Sequence, residues 1–160
     1  MHHWMPSDPH WTTYLSALAA PVLAVVAGWI AYRQYTTARA KLKLDLFEKR
    51  IAIYNEVNEC LSYIFRNGDS SIENDQRFLE ALHQAKWLFG ADVVNYLQEV
   101  IWPKMGELHC LCAYLEGMQD SQERNEKLKS RSQLKHWFVQ QSKEGLDAAF
   151  RPYLSFDKWK

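Results

Sequence analysis

The sequence predicts an all-α protein: one N-terminal transmembrane helix that continues into a small cytoplasmic helical bundle. Three observations predict it. The 160 residues contain only six Gly and five Pro, too few breakers for a turn-rich β architecture. Between Asp8 and Arg33 there is no Asp, Glu, Lys or Arg. From Leu46 onward, apolar residues recur at steps of three, four and seven, which is the helical period.

The uncharged window holds Thr12 to Tyr32, long enough at 1.5 Å per residue to cross roughly 30 Å of hydrocarbon. Trp4, Trp11 and Tyr14 lie at one end and Trp29, Tyr32 and Tyr35 at the other, an arrangement that suits lipid–water boundaries. Pro21 sits inside the window, as membrane helices tolerate. A cleaved signal peptide needs positive charge before the apolar run, and Asp8 stands there instead. Arg33, Arg39, Lys41 and Lys43 follow the window before the next acid, Asp45. By the positive-inside rule this puts the N-terminus outside and the rest in the cytoplasm, at a bacterial inner membrane. Ser16, Ala20, Ala24 and Gly28 recur every four residues, a ridge that lets helix backbones approach and predicts a homo-oligomer; the plainer reading is that Ala is common in membrane helices.

The organisation that follows is a short external tail over 1–11, a span over 12–32, a juxtamembrane helical rod over 33–66 and the rest of the bundle over 67–160. Neither Pro nor Gly interrupts the chain between Gly28 and Gly68. Phe47, Ile51, Tyr54, Leu61 and Phe65 form one stripe, and Leu46, Ile53, Val57, Cys60 and Ile64 a neighbouring one. Asn67, Gly68 and Asp69 end the rod. Ser70 or Ser71 caps the next helix, with Glu73 and Asp75 in its first turn. That helix carries Phe78, Leu79, Leu82, Ala85, Trp87, Leu88 and Phe89, and Gly90 reads as the residue just past its end. Another begins near Asp92 and is bent or interrupted at Pro103. Gln119 to Ser132 is polar and reads as a loop or frayed helix. A last helix holds Leu134, Trp137, Phe138, Leu146, Ala149 and Phe150 and ends at Pro152.

Chemistry is mostly absent. Nineteen Lys plus Arg balance nineteen Asp plus Glu, which excludes a generally basic coat for duplex nucleic acid. Three Cys do not make a secreted disulfide framework. The two closest Gly, Gly106 and Gly117, are too far apart for a phosphate-cradling loop. Glu80 and His83 form a lone E-x-x-H, and a di-iron site needs a second pair and two more carboxylates. His109, Cys110 and Cys112 do not complete a tetrahedral zinc site. No cofactor, metal or catalytic residue is expected.

The remaining signal is basic. Lys127, Lys129, Arg131, Lys135 and His136 cluster beside Trp137. Lys and Arg neutralise phosphates and Trp stacks on a base. For a single copy, a solvated polar segment beside an inward-packed Trp137 explains the same residues. In a symmetric assembly one patch per subunit becomes a ring around the axis.

The run KLKLDLFEKR (Lys41 to Arg50), FGADVVNYL (Phe89 to Leu97) and RPYLSF (Arg151 to Phe156) resemble segments of small bacterial single-span membrane proteins of unassigned function. That resemblance implies architecture and no active site. In layout the chain is also similar to membrane-anchored antiviral effectors of the type III CRISPR kind, which implies sensing of a cyclic nucleotide. The expected function is a non-enzymatic, membrane-anchored oligomeric sensor, possessing a site for an anionic ligand of the nucleotide second-messenger class and transmitting its binding to the membrane helices. The alternative is a membrane-anchored docking or scaffold subunit without a small-molecule ligand.

Overall fold

The computed structural model describes residues 11–117, 119 and 122–155, with side chains from Pro21 onward. Every regular element among them is helical, in the order α1 (Trp11–Asn67), α2 (Ile72–Leu88), α3 (Ala91–Asn95), α4 (Trp102–Glu116), α5 (Gln122–Gln140) and α6 (Leu146–Leu154). A π-helical turn, Tyr96–Ile101, joins α3 to α4, and another, Gln141–Gly145, joins α5 to α6. By its internal contacts the chain divides into two compact units, 1–44 and 45–160.

The expected transmembrane helix over Thr12–Tyr32 does not hold, and the single-pass membrane reading falls with it. Among the described residues no helix is long and apolar enough to cross a membrane. Among the described side chains the uncharged part of α1 is Pro21 to Tyr32, and Arg33 follows at once. The inner-membrane placement and its orientation lose the span on which they rested. Ser16 and Ala20 of the small-residue ridge, the aromatic residues Trp4, Trp11 and Tyr14, and the 1–10 tail lie outside the described side chains.

In the first unit the side chains of residues 21–44 are exposed. The guanidinium of Arg33 sits 5.2 Å from the centre of the Trp29 ring, and that of Arg39 lies 5.0 Å from the Tyr35 ring. Both Thr36 and Thr37 donate from Oγ1 to the Arg33 carbonyl oxygen at 2.9 Å.

The second unit has its own core. Of the two stripes expected on α1, Ile53, Val57, Cys60 and Ile64 of the second are buried together with Leu61 of the first, whereas Phe65 of the first is half exposed. Phe78, Ala81, Leu82 and Ala85 meet them from α2. Val93, Leu97, Ile101, Met105, Leu108 and Cys112 run unbroken through α3, the π turn and α4. Successive steps of four would drift around an α-helix, and the extra residue of the π turn swings the stripe back. The same wide turn accommodates Pro103, which has no N–H for the ladder. Pro103 therefore stands in the first turn of α4. Leu134 and Phe138 from α5 and Leu146 and Phe150 from α6 close the core.

Ser71 is the residue that caps α2, accepting from the Asn74 N–H at 3.1 Å. Gly90 precedes α3 as its N-cap, after Phe89 has closed α2. A Cβ on Gly90 would fall 2.2 Å from the Tyr153 hydroxyl, which donates to Asp92 at 2.7 Å. The polar segment expected as a loop or frayed helix is helical from Gln122. Gln, Glu, Lys and Arg are strong helix formers, and neither Gly nor Pro occurs within it.

Candidate ligand-binding surface on helix α5

Helix α5 buries Leu134 and Phe138 and turns its other faces outward. Lys129, Ser132, Gln133, His136, Trp137 and Gln140 are spaced three and four apart, so they share one face, where they line an open groove of about 620 Å³. Trp137 is half-buried, its ring 5.1 Å from that of Phe138 and edge-on at 79°. Core packing thus holds the indole while part of it faces the groove.

Two groups in the groove can meet a ligand. Lys129 is exposed, and among the described residues its ammonium has no ion-pair partner. The Nδ1 of His136 lies 2.8 Å from the Ser132 carbonyl oxygen. A carbonyl only accepts, so Nδ1 carries the proton and Nε2 of the neutral ring is bare. The bare Nε2 accepts a hydrogen bond from a ligand hydroxyl, beside the positive charge of Lys129.

The other three basic residues leave this face. Arg131 donates from Nε to the Gly68 carbonyl oxygen at 3.0 Å. The Lys135 ammonium lies 5.8 Å from the centre of the Phe65 ring, and that of Lys127 lies 5.4 Å from the Tyr114 ring. The signal for this split was in the spacing: Lys127, Arg131 and Lys135 are four apart and follow the side of α5 that carries Leu134 and Phe138. The expected six-residue cluster resolves into Lys129, His136 and Trp137 on the groove, and Lys127, Arg131 and Lys135 against α1 and α4.

A second polar cluster surrounds the turn between α1 and α2. Gly68 has φ +78°, and its N–H returns to the Ile64 carbonyl oxygen at 2.8 Å, the left-handed closure of α1. Besides Arg131, the Gly68 carbonyl oxygen accepts from Cys112 Sγ at 3.7 Å. Ser70 donates from Oγ to Asp75 at 2.6 Å, and the other Asp75 oxygen lies 2.6 Å from His109 Nε2. His109 Nδ1 is 3.7 Å from Asp69. The carboxylate stands between hydroxyl and imidazole, so the imidazole is not placed to draw the Ser70 proton, as nucleophile activation requires. These groups hold the turn against α4. Nothing in the sequence announced them, since His109 follows Asp75 by 34 residues.

Beneath the cluster, Asn74 is buried. It donates from Nδ2 to the Cys60 carbonyl oxygen at 3.3 Å and to Ser70 Oγ at 2.9 Å. Burial pushes the Cys60 thiol up to about 12 and raises the Cys112 thiol as well. Cys110 is exposed, as are Glu80 and His83 on α2. Among the described residues no group of three or more His, Cys, Asp and Glu is placed to hold a metal ion.

Compared with known proteins, the chain matches no family model, no curated protein and no solved structure.

Proposed function

We propose that the 45–160 unit is a non-enzymatic binding module that takes an anionic ligand with an aromatic ring, of the nucleotide class, on the outer face of α5. One observation carries this reading: Lys129 and His136 stand beside a Trp137 ring held by the core, on one groove-forming face. The Lys129 ammonium neutralises phosphate while the indole offers a stacking surface.

The test is a melting-temperature screen of the full chain with inorganic phosphate, adenosine, adenosine monophosphate and a cyclic dinucleotide. A ligand at a hundred times its Kd stabilises by about 2.7 kcal/mol, so a binder gives a clear upward shift. Phosphate-bearing nucleotides are expected to shift the transition, and Lys129→Glu to remove the shift. A flat response across the panel sinks the proposal.

A second reading, a docking subunit with no small-molecule ligand, is favoured by Trp87. This side chain on α2 is 88% exposed and Ile72 on the same helix 77%, and exposed aromatic anchors mark protein interfaces. Trp87→Ala would abolish capture of such a partner and leave nucleotide binding unchanged.

A further inference from the structure

The first unit has a surface problem that the α5 groove does not address. Leu23, Val25, Val26, Trp29, Ile30 and Tyr32 are between 47% and 73% exposed. Together they offer apolar surface on the order of 700 Å², close to the ~800 Å² that each partner of a standard interface buries. At 3.6 residues per turn they spread over roughly half the circumference of α1. The apolar stripe with which a surface helix meets its core need be only about 100° wide. One neighbour therefore leaves part of this surface in water.

We infer that this half of α1 is covered by further copies of the same chain, in a closed assembly of three or more. Three features make the occupant a copy. The stretch from Pro21 to Tyr32 carries no charge, so identical surfaces meet without repulsion. The whole chain has a formal net charge of zero, and proteins near neutrality associate readily. Closed rotational symmetry lets each copy present the same half-cylinder to two neighbours.

The interface differs from the small-residue ridge expected from the sequence. Ala24 and Gly28 lie on the opposite side of α1 from Val26 and Ile30. A Cβ on Gly28 would meet nothing within 4 Å. Bulk at Gly28 is therefore tolerated, whereas charge at Val26 and Ile30 is not.

Sedimentation velocity and light scattering on the full chain test this directly. The wild type is expected at three or more times the chain mass. Val26→Glu/Ile30→Glu is expected to be monomeric with unchanged helix content by circular dichroism, since both sites are exposed within one copy. Gly28→Leu is expected to keep the wild-type mass. A monomeric wild type overturns the inference. So does a Val26→Glu/Ile30→Glu variant that stays assembled, a Gly28→Leu variant that dissociates, or a wild type that stays in solution only with detergent micelles or lipid vesicles. None of these outcomes bears on nucleotide binding at α5, which is measured separately.

Discussion

Arg131 donates from Nε to the carbonyl oxygen of Gly68, 3.0 Å away and sixty-three residues earlier in the chain. A cation from α5 thereby satisfies a carbonyl at the C-terminus of α1, where the helix dipole favours positive charge. The Lys135 ammonium stands near the same turn, 3.3 Å from where a Gly68 Cβ would be. Two side chains that read as ligand contacts in the sequence act on the fold instead.

Gly68→Ala is the sharpest test of that junction. The left-handed φ of +78° costs an L side chain about 1–2 kcal/mol, and the new Cβ would lie 2.9 Å from Arg131 Nη2. Urea unfolding should show a lowered midpoint with an unchanged slope. Arg131→Ala alone should cost about 1 kcal/mol through the lost hydrogen bond. In that background Gly68→Ala should cost less than in the wild type, because the crowded guanidinium is gone.

Stability and binding should separate along α5. Lys129→Ala and His136→Ala remove exposed groups and are expected to leave the melting temperature of the free protein within about a degree, since surface substitutions usually cost under 0.5 kcal/mol. Both should weaken nucleotide binding. Arg131→Ala and Lys135→Ala should lower stability and leave affinity within about twofold, as neither reaches the groove. Calorimetric titration beside thermal unfolding distinguishes the two pairs, and affinity loss confined to Arg131→Ala would contradict the assignment.

Alkaline pH should loosen the second unit. The hydrogen bond from Tyr54 to Asp147, with burial and the carboxylate charge, pushes the Tyr54 hydroxyl up to about 12. Burial alone carries Tyr96 to about 12, and its hydroxyl donates to Gln141 at 2.7 Å. Both folded values lie above the ordinary 10.0. Their contribution is therefore complete below about pH 10 and is lost as pH rises through about 12. Absorbance of tyrosinate should rise in two stages, with the late stage coinciding with loss of the helical signal. Tyr54→Phe should reduce the alkaline loss.

The three thiols should differ in reactivity. Cys110 is exposed, whereas Cys60 and Cys112 are buried and raised by that burial. Since the thiolate is the reacting species, a colorimetric thiol reagent at pH 8 should titrate one fast sulfhydryl. The other two should react at the rate of chain opening. Three fast thiols in the native protein would contradict the packing of α1 against α2 and α4.

Local rules made much of the second unit legible. Helical period marked Ile53, Val57, Cys60 and Ile64, a cap at Ser70 or Ser71 and a stop over Asn67–Asp69 followed from residue type, and Pro103 marked a real break in regular geometry. These features depend on neighbours within a turn or two, which a sequence displays directly. Choices between equivalent local patterns were not legible. Two adjacent stripes on α1 had the same period, and only tertiary contact buried most of one and Leu61 of the other while leaving Phe65 half exposed. The four-residue spacing of Lys127, Arg131 and Lys135 set them on the side of Leu134 and Phe138, but only the fold placed Gly68 against Arg131 and Phe65 against Lys135. His109 met Asp75 because two helices cross there. The sequence by itself determined that this chain is helical and where its first two helices stop. Tertiary structure decided which faces are buried and which charges remain for a ligand, because side chains far apart in sequence compete for the same space and the same backbone oxygen.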